Sequence, residues 1–201
     1  MRKWLEYSFI ANPANGQAFR CAAFRILYKV HKAVLGYRPV TGNFCSASQP
    51  SARLLAFLLL PMVRATPEYV KDGDDVNRLL QKTHLPTDCL LITYDVVSLY
   101  PSILHEKCLD AIRTHCQRRN WSCNDFPYTD LCVTILKMVL SVNYCMFLGI
   151  VYLQRIGFAT GVACGGAAAK LLIYFYTNFS CICYLILTNT SHYIVVILTM
   201  V

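Results

Sequence analysis

The sequence predicts an α+β fold, and three observations carry that reading. Of 201 residues, 56% are hydrophobic and 15% charged, a balance that buries a core and excludes a disordered chain. Short apolar runs bounded by turn residues read as strands. Longer stretches with apolar residues at helical spacing read as helices, mixed with the strands and without an obvious linker. The chain shows no internal period and has only nine glycines, which excludes collagen-like and repeat architectures.

The elements follow in chain order. Residues 1–23 form an N-terminal segment without a clear pattern. Residues 24–32 form a short strand ending in a basic cluster, and 33–50 a loop rich in Gly, Pro and Ser centred on Arg38-Pro39. Residues 51–63 form a mostly apolar helix with Ser51 as its N-cap. Residues 72–82 form a second helix with Val76, Leu79 and Leu80 on one face. Residues 89–97 form a buried strand that stops at a turn near Pro101. Helices follow at 104–119 and 129–141, then a hairpin over 145–154 turning at Gly149. A Gly-rich loop, 157–166, leads into an apolar helix from about Ala167.

Charge is distributed unevenly. Residues 1–64 carry a net +8, residues 65–130 a net −3, and residues 131–201 a net +3 with no acid at all. The basic first third suits a polyanionic partner, although a solvated basic surface has the same composition. The eleven cysteines include no Cys-x-x-Cys pair, so they read as reduced, mostly buried apolar residues. The start, Met1-Arg-Lys-Trp-Leu-Glu, lacks the apolar run of a secretory signal. Both features predict an intracellular protein, nuclear or cytoplasmic. After Lys170 come thirty-one residues without a charge. Residues 171–187 are near the lower length limit of a spanning helix, but Thr177, Asn178 and Ser180 interrupt them, and a buried core segment or a frame-shifted tail would look the same.

The segment richest in chemistry is Tyr94-Asp95-Val96-Val97-Ser98-Leu99-Tyr100-Pro101-Ser102-Ile103. A carboxylate at the end of an apolar strand suits Mg²⁺, which takes few protein oxygens and leaves room for phosphate. Tyr100, five residues on, is placed to pack under a nucleotide sugar. The pattern Asp-x-x-Ser-Leu-Tyr-Pro-Ser-Ile resembles the first metal-binding motif of family B DNA polymerases and the first palm motif of Penelope-like retroelement reverse transcriptases. The flanks separate the two. Leu27-Tyr28-Lys29-Val30-His31-Lys32 followed by Arg38-Pro39-Val40 resembles the Leu-Pro-Lys-x-His-Lys … Arg-Pro-Ile fingers motif of those reverse transcriptases, with Tyr28 in place of the usual Pro. Tyr69-Val70-Lys71-Asp72 and Leu85-Pro86 are similar to the same family. So is Asn143-Tyr144 … Phe147-x-Gly149 … Tyr152-x-Gln154-x-x-Gly157-x-Ala159-x-Gly161, which resembles its second palm motif. The downstream Lys-x-x-x-Asn-Ser-x-Tyr-Gly helix of the family B enzymes has no counterpart here.

The resemblance spans about residues 24–172 and implies a right-hand polymerase. Residues 24–88 would be fingers and 89–172 a partial palm ending before the Tyr-x-Asp-Asp hairpin and thumb, with 173–201 an uncharged tail. It implies that Lys29, Lys32 and Arg38 meet phosphates of template or nucleotide. Asp95 would be catalytic and hold Mg²⁺, and Tyr100 would crowd a 2′-hydroxyl. Gln154 and the loop from Gly157 to Gly161 would approach the template-primer. The implied partners are an RNA template, a DNA primer and deoxynucleoside triphosphates.

One part of the pattern fails. No Asp or Glu follows Asp130, so the second carboxylate motif is missing. Tyr193-Ile194-Val195-Val196-Ile197-Leu198 stands near the expected distance with valines where both acids would be. One carboxylate cannot position two divalent cations beside a triphosphate, so this chain alone is expected to be an inactive polymerase. The competing expectations are a non-catalytic nucleic-acid-binding remnant and, third, a membrane-associated protein held by residues 171–201.

Overall fold

A computed structural model describes residues 20–29, 36–43, 46–67, 69–82, 90–94, 96–118, 127–180 and 194–198. The fold is α+β: a four-stranded mixed sheet lies beside a layer of helices, and a separate pair of strands completes it.

Strands β1 (Ala22–Lys29) and β2 (Gly36–Gly42) are antiparallel, with Tyr28 opposite Tyr37 and Phe24 opposite Thr41. β2 lies inside the segment expected to be a loop. Pro39 marks a loop by composition, but it has no N–H to lose on an edge strand, and β2 is the edge in the order β2-β1-β4-β5. β4 (Tyr144–Phe147) and β5 (Ile150–Leu153) form the expected hairpin, and β4 runs parallel to the start of β1. Both turn residues have positive φ, Leu148 at 50° and Gly149 at 79°, the signature of a type I′ turn that matches strand twist.

The helical layer holds the core. Helix α1 (Gln49–Arg64) starts two residues earlier than expected. Ser48 is its N-cap residue, without a side-chain cap bond, and Ser51 is buried in the first turn rather than capping it. Pro50 explains the shift, because proline suits the first helical positions. The helix continues through Pro61, which is solvent-exposed. Helices α5 (Tyr128–Ser141) and α6 (Gly165–Ser180) pack on α1, and α4 (His105–Arg118) packs on α5 and α6. Leu55, Leu59, Met62, Ile112, Leu136 and Leu171 are fully enclosed between them. α3 (Leu99–Ser102) is a single turn entered through Ser98 at φ 54°.

Helix α2 (Gly73–Lys82) forms over the expected residues. No residue in it is buried, and Leu79 of the expected apolar face is 53% exposed. Local bonds hold it: Asp72 accepts from the Asp75 N–H, Asp75 accepts from the Lys71 N–H, and Arg78 pairs with Asp75. Asp74 and Asp75 at its start and Lys82 at its end oppose the helix dipole.

Strand β3 (Leu90–Tyr94) pairs in parallel with β6 (Ile194–Leu198). The described cysteines agree with the sequence reading: Cys108, Cys116, Cys132, Cys145 and Cys164 are buried and unbridged. Among the described residues, no helix is long and apolar enough to cross a membrane. Residues 181–193 of the uncharged tail lie outside them.

Candidate functional site

A cavity of about 340 Å³ opens between one face of the four-stranded sheet and the loop that follows β5. Strand alternation decides which side chains reach it. Registers place Phe24, Ile26 and Tyr28 of β1 on the same face as Tyr37, Pro39 and Thr41 of β2. Phe24, Pro39, Thr41 and Phe147 line the cavity from the sheet, with Phe24 and Phe147 edge to face at 5.5 Å. Tyr100, Pro101, Gln154, Phe158 and Thr160 close it from the other side.

The loop is fastened at both ends. Toward α3, the Gly157 N–H donates to the Ile103 carbonyl at 2.8 Å and the Phe158 N–H to the Tyr100 carbonyl at 2.9 Å. His105 Nε2 donates to the Gly157 carbonyl at 2.9 Å. Toward β2, the Gly161 N–H donates to the Thr41 carbonyl at 3.1 Å. The Thr160 hydroxyl accepts from the Thr41 N–H at 3.1 Å and donates to the Pro39 carbonyl at 3.3 Å. These contacts explain the two glycines. A Cβ on Gly157, which has φ +80°, would lie 2.6 Å from the Tyr100 and Pro101 carbonyl oxygens. A Cβ on Gly161 would lie 2.7 Å from the Thr41 oxygen. Each marks a place where backbone meets backbone too closely for a side chain.

Tyr100 is half-buried in the cavity wall, and burial raises its phenol above the usual range. Its ring packs at the start of α6, where a Cβ on Gly165 would come within 3.3 Å of it. Gln154 is held by its own loop, donating from Nε2 to the Ile156 carbonyl at 3.0 Å.

The structure brings Tyr100 and Gln154 to one space, uses Gly157 and Gly161 to fasten the loop that bounds it, and sets Arg38 apart. Arg38 is opposite Leu27, on the sheet face turned away from the cavity, so the expected phosphate contact is not made from within it. Lys29 ends β1 opposite Gly36. Asp95 and Lys32 lie outside the described residues, as do Leu85 and Pro86. Among the described residues, no carboxylate lines the cavity and no group of three His, Cys, Asp or Glu side chains that could hold a metal ion occurs. The cavity's neutral oxygens, from Thr41, Tyr100, Gln154 and Thr160, therefore do not by themselves suit Mg²⁺, which is held through carboxylates and phosphates.

No family model, curated protein or solved structure matches the chain.

The register of β3 with β6 bears on the missing acids. Val195 is opposite Leu91 and Val196 opposite Ile92, while Tyr94 at the end of β3 is opposite Leu198. At about 3.3 Å per residue, the two valines sit roughly 7–10 Å back from the strand end. Sequence reading also missed Thr160, Phe24 and Phe158. Thr160 had a signal, since it stands inside the Gly157-to-Gly161 motif; the two phenylalanines had none.

Proposed function

We propose that this chain is the fingers and partial palm of a reverse transcriptase of the Penelope-like type, and that the cavity receives the sugar and base of a deoxynucleotide. One observation carries the reading. Segments around Pro39, Tyr100 and Gly157, spread over more than a hundred residues of the chain, are hydrogen-bonded around a single apolar space. Helix packing alone does not require that convergence.

In this reading Phe24 and Pro39 offer flat apolar surface to a base. Tyr100 fills the place where a ribose 2′-hydroxyl would stand, so it excludes ribonucleotides by volume. The loop glycines hold the loop against α3 and β2, which fixes the cavity wall. A pair of metal ions would neutralise the triphosphate and activate the primer hydroxyl in a complete enzyme. This polypeptide supplies Asp95 and no acid beyond Asp130, so it binds without polymerising.

The test is a titration followed by NMR. A deoxynucleoside triphosphate with Mg²⁺ is expected to shift the signals of Phe158 and Thr160. Replacing Tyr100 by Ala is expected to narrow the preference over the matching ribonucleotide. Cavity signals that ignore both nucleotides would sink the reading. The second reading, a nucleic-acid-binding remnant, is favoured by β1 and β2, which carry Arg25, Lys29 and Arg38 and no acid. It expects oligonucleotide binding with a steep salt dependence and no effect of nucleotide on the cavity.

A further inference from the structure

Three sulfur-bearing side chains meet in the helical layer. The Cys116 thiol of α4 lies against the Met62 thioether of α1, with the two sulfurs 4.0 Å apart. Cys132 of α5 is close enough to Cys116 that charge on one thiol opposes ionisation of the other. All three side chains are buried in the same core. Burial holds the Cys116 thiol above its usual range, and a hydrogen bond from the Thr129 side chain pulls it back toward the thiolate. The cluster is also near helix ends. Met62 and Cys116 stand two residues before the ends of α1 and α4, and Cys132 four residues after the start of α5. Helix ends open at the lowest local cost, so an ion has a way in.

We propose that Met62, Cys116 and Cys132 form a site for a soft monovalent metal ion, Cu(I). Spacing supports it. A thiolate sits about 2.3 Å from a closed-shell ion such as zinc, so three sulfurs set in a triangle round an ion at that distance stand about 4.0 Å apart. Cys116 and Met62 already have that separation. The donor set chooses the metal. Two thiolates and a thioether are soft ligands that suit Cu(I). Zinc asks for four ligands, and among the described residues no third His, Cys, Asp or Glu joins the two cysteines. His115, next to Cys116 in sequence, packs instead against Tyr174 of α6. Binding forms two metal–thiolate bonds and one metal–thioether bond, and the two thiol protons pass to solvent. The charge of the ion drives that loss, as it does for any coordinating thiol. The inference is independent of the polymerase reading and uses neither the cavity nor Asp95.

The experiment titrates the reduced chain, without oxygen, with Cu(I) buffered by bicinchoninate, and reads the thermal midpoint and the metal's X-ray absorption. The first equivalent is expected to raise the midpoint of the wild type, because an ion held only by the folded state stabilises it, and to show a shell of three sulfurs. Cys116→Ala and Cys132→Ala should lose the rise. Cys108→Ala and Cys164→Ala should keep it, since those two cysteines of the core neighbour each other instead. Met62→Leu conserves volume and should fold as the parent does, yet bind more weakly with two sulfurs in the shell. Thr129→Val should cost about 10–100-fold in affinity, as loss of a hydrogen bond to a ligand does. No rise in the wild type, a rise that survives loss of either Cys116 or Cys132, or a Met62→Leu chain that binds as tightly as the parent overturns the site. A fall in the midpoint also overturns it, and assigns the ion to cysteines reached only on unfolding.

Discussion

Gly157 is the residue with the least freedom in the candidate site. It has φ +80°, and the space where a Cβ would sit is already taken by two carbonyl oxygens. Gly157→Ala is expected to lower stability by about 1–3 kcal/mol and to disturb the cavity, read as a fall in the urea midpoint and a loss of Phe158 shifts. Leu148 is the opposite case. It adopts φ 50° at the tip of the hairpin and is 85% exposed, so it has nothing to offset a left-handed backbone. Leu148→Asn creates the Asn-Gly pair that type I′ turns favour and should stabilise the chain by on the order of 1 kcal/mol. An unchanged urea midpoint would count against the turn assignment. The sequence shows Gly149 as a turn, but the sign of φ at Leu148 follows from the hairpin's length, which pattern alone does not specify.

Among elements, the helical layer and the sheet differ in what holds them. Helices α1, α4, α5 and α6 share a dry core in which Cys108, Cys132 and Cys164 are pushed up to about 12, chiefly by burial. Their ordinary value is 9.0. Between pH 9 and 12 the folded state keeps protons that the unfolded state gives up, so stability falls as pH rises through that window. The thermal midpoint is therefore expected to drop steadily above pH 9, and to drop less in Cys108→Ala and Cys164→Ala than in the parent. A midpoint flat to pH 12 would show that these thiols reach water. The four helices were legible in the sequence because apolar residues at helical spacing must turn inward. β2 was not, since its edge position tolerates the proline that composition reads as a break. The exposure of Leu79 on α2 was not legible, because apolar spacing predicts a helix but not whether anything covers it.

At the scale of the whole molecule, the question is whether the missing acids could be restored in place. The pairing of β6 with β3 puts positions 195 and 196 opposite Leu91 and Ile92 rather than at the end of β3. Metal ions about 3.5–4 Å apart need their carboxylates gathered within the same few ångströms. Val195→Asp with Val196→Asp is therefore expected to give no magnesium-dependent primer extension, and extension abolished by Asp95→Ala would overturn the register argument. The sequence by itself determined the α+β class, the core helices, the hairpin and the absence of acids after Asp130. Each of these is written in local pattern or composition. Only the tertiary structure decided that Tyr100 and Gln154 share a cavity with β2, that Gly157 and Gly161 fasten the loop bounding it, and that Arg38 faces away from it. Those outcomes depend on strand register and on backbone hydrogen bonds between segments over a hundred residues apart, and a one-residue shift in pairing would exchange the two faces of β2.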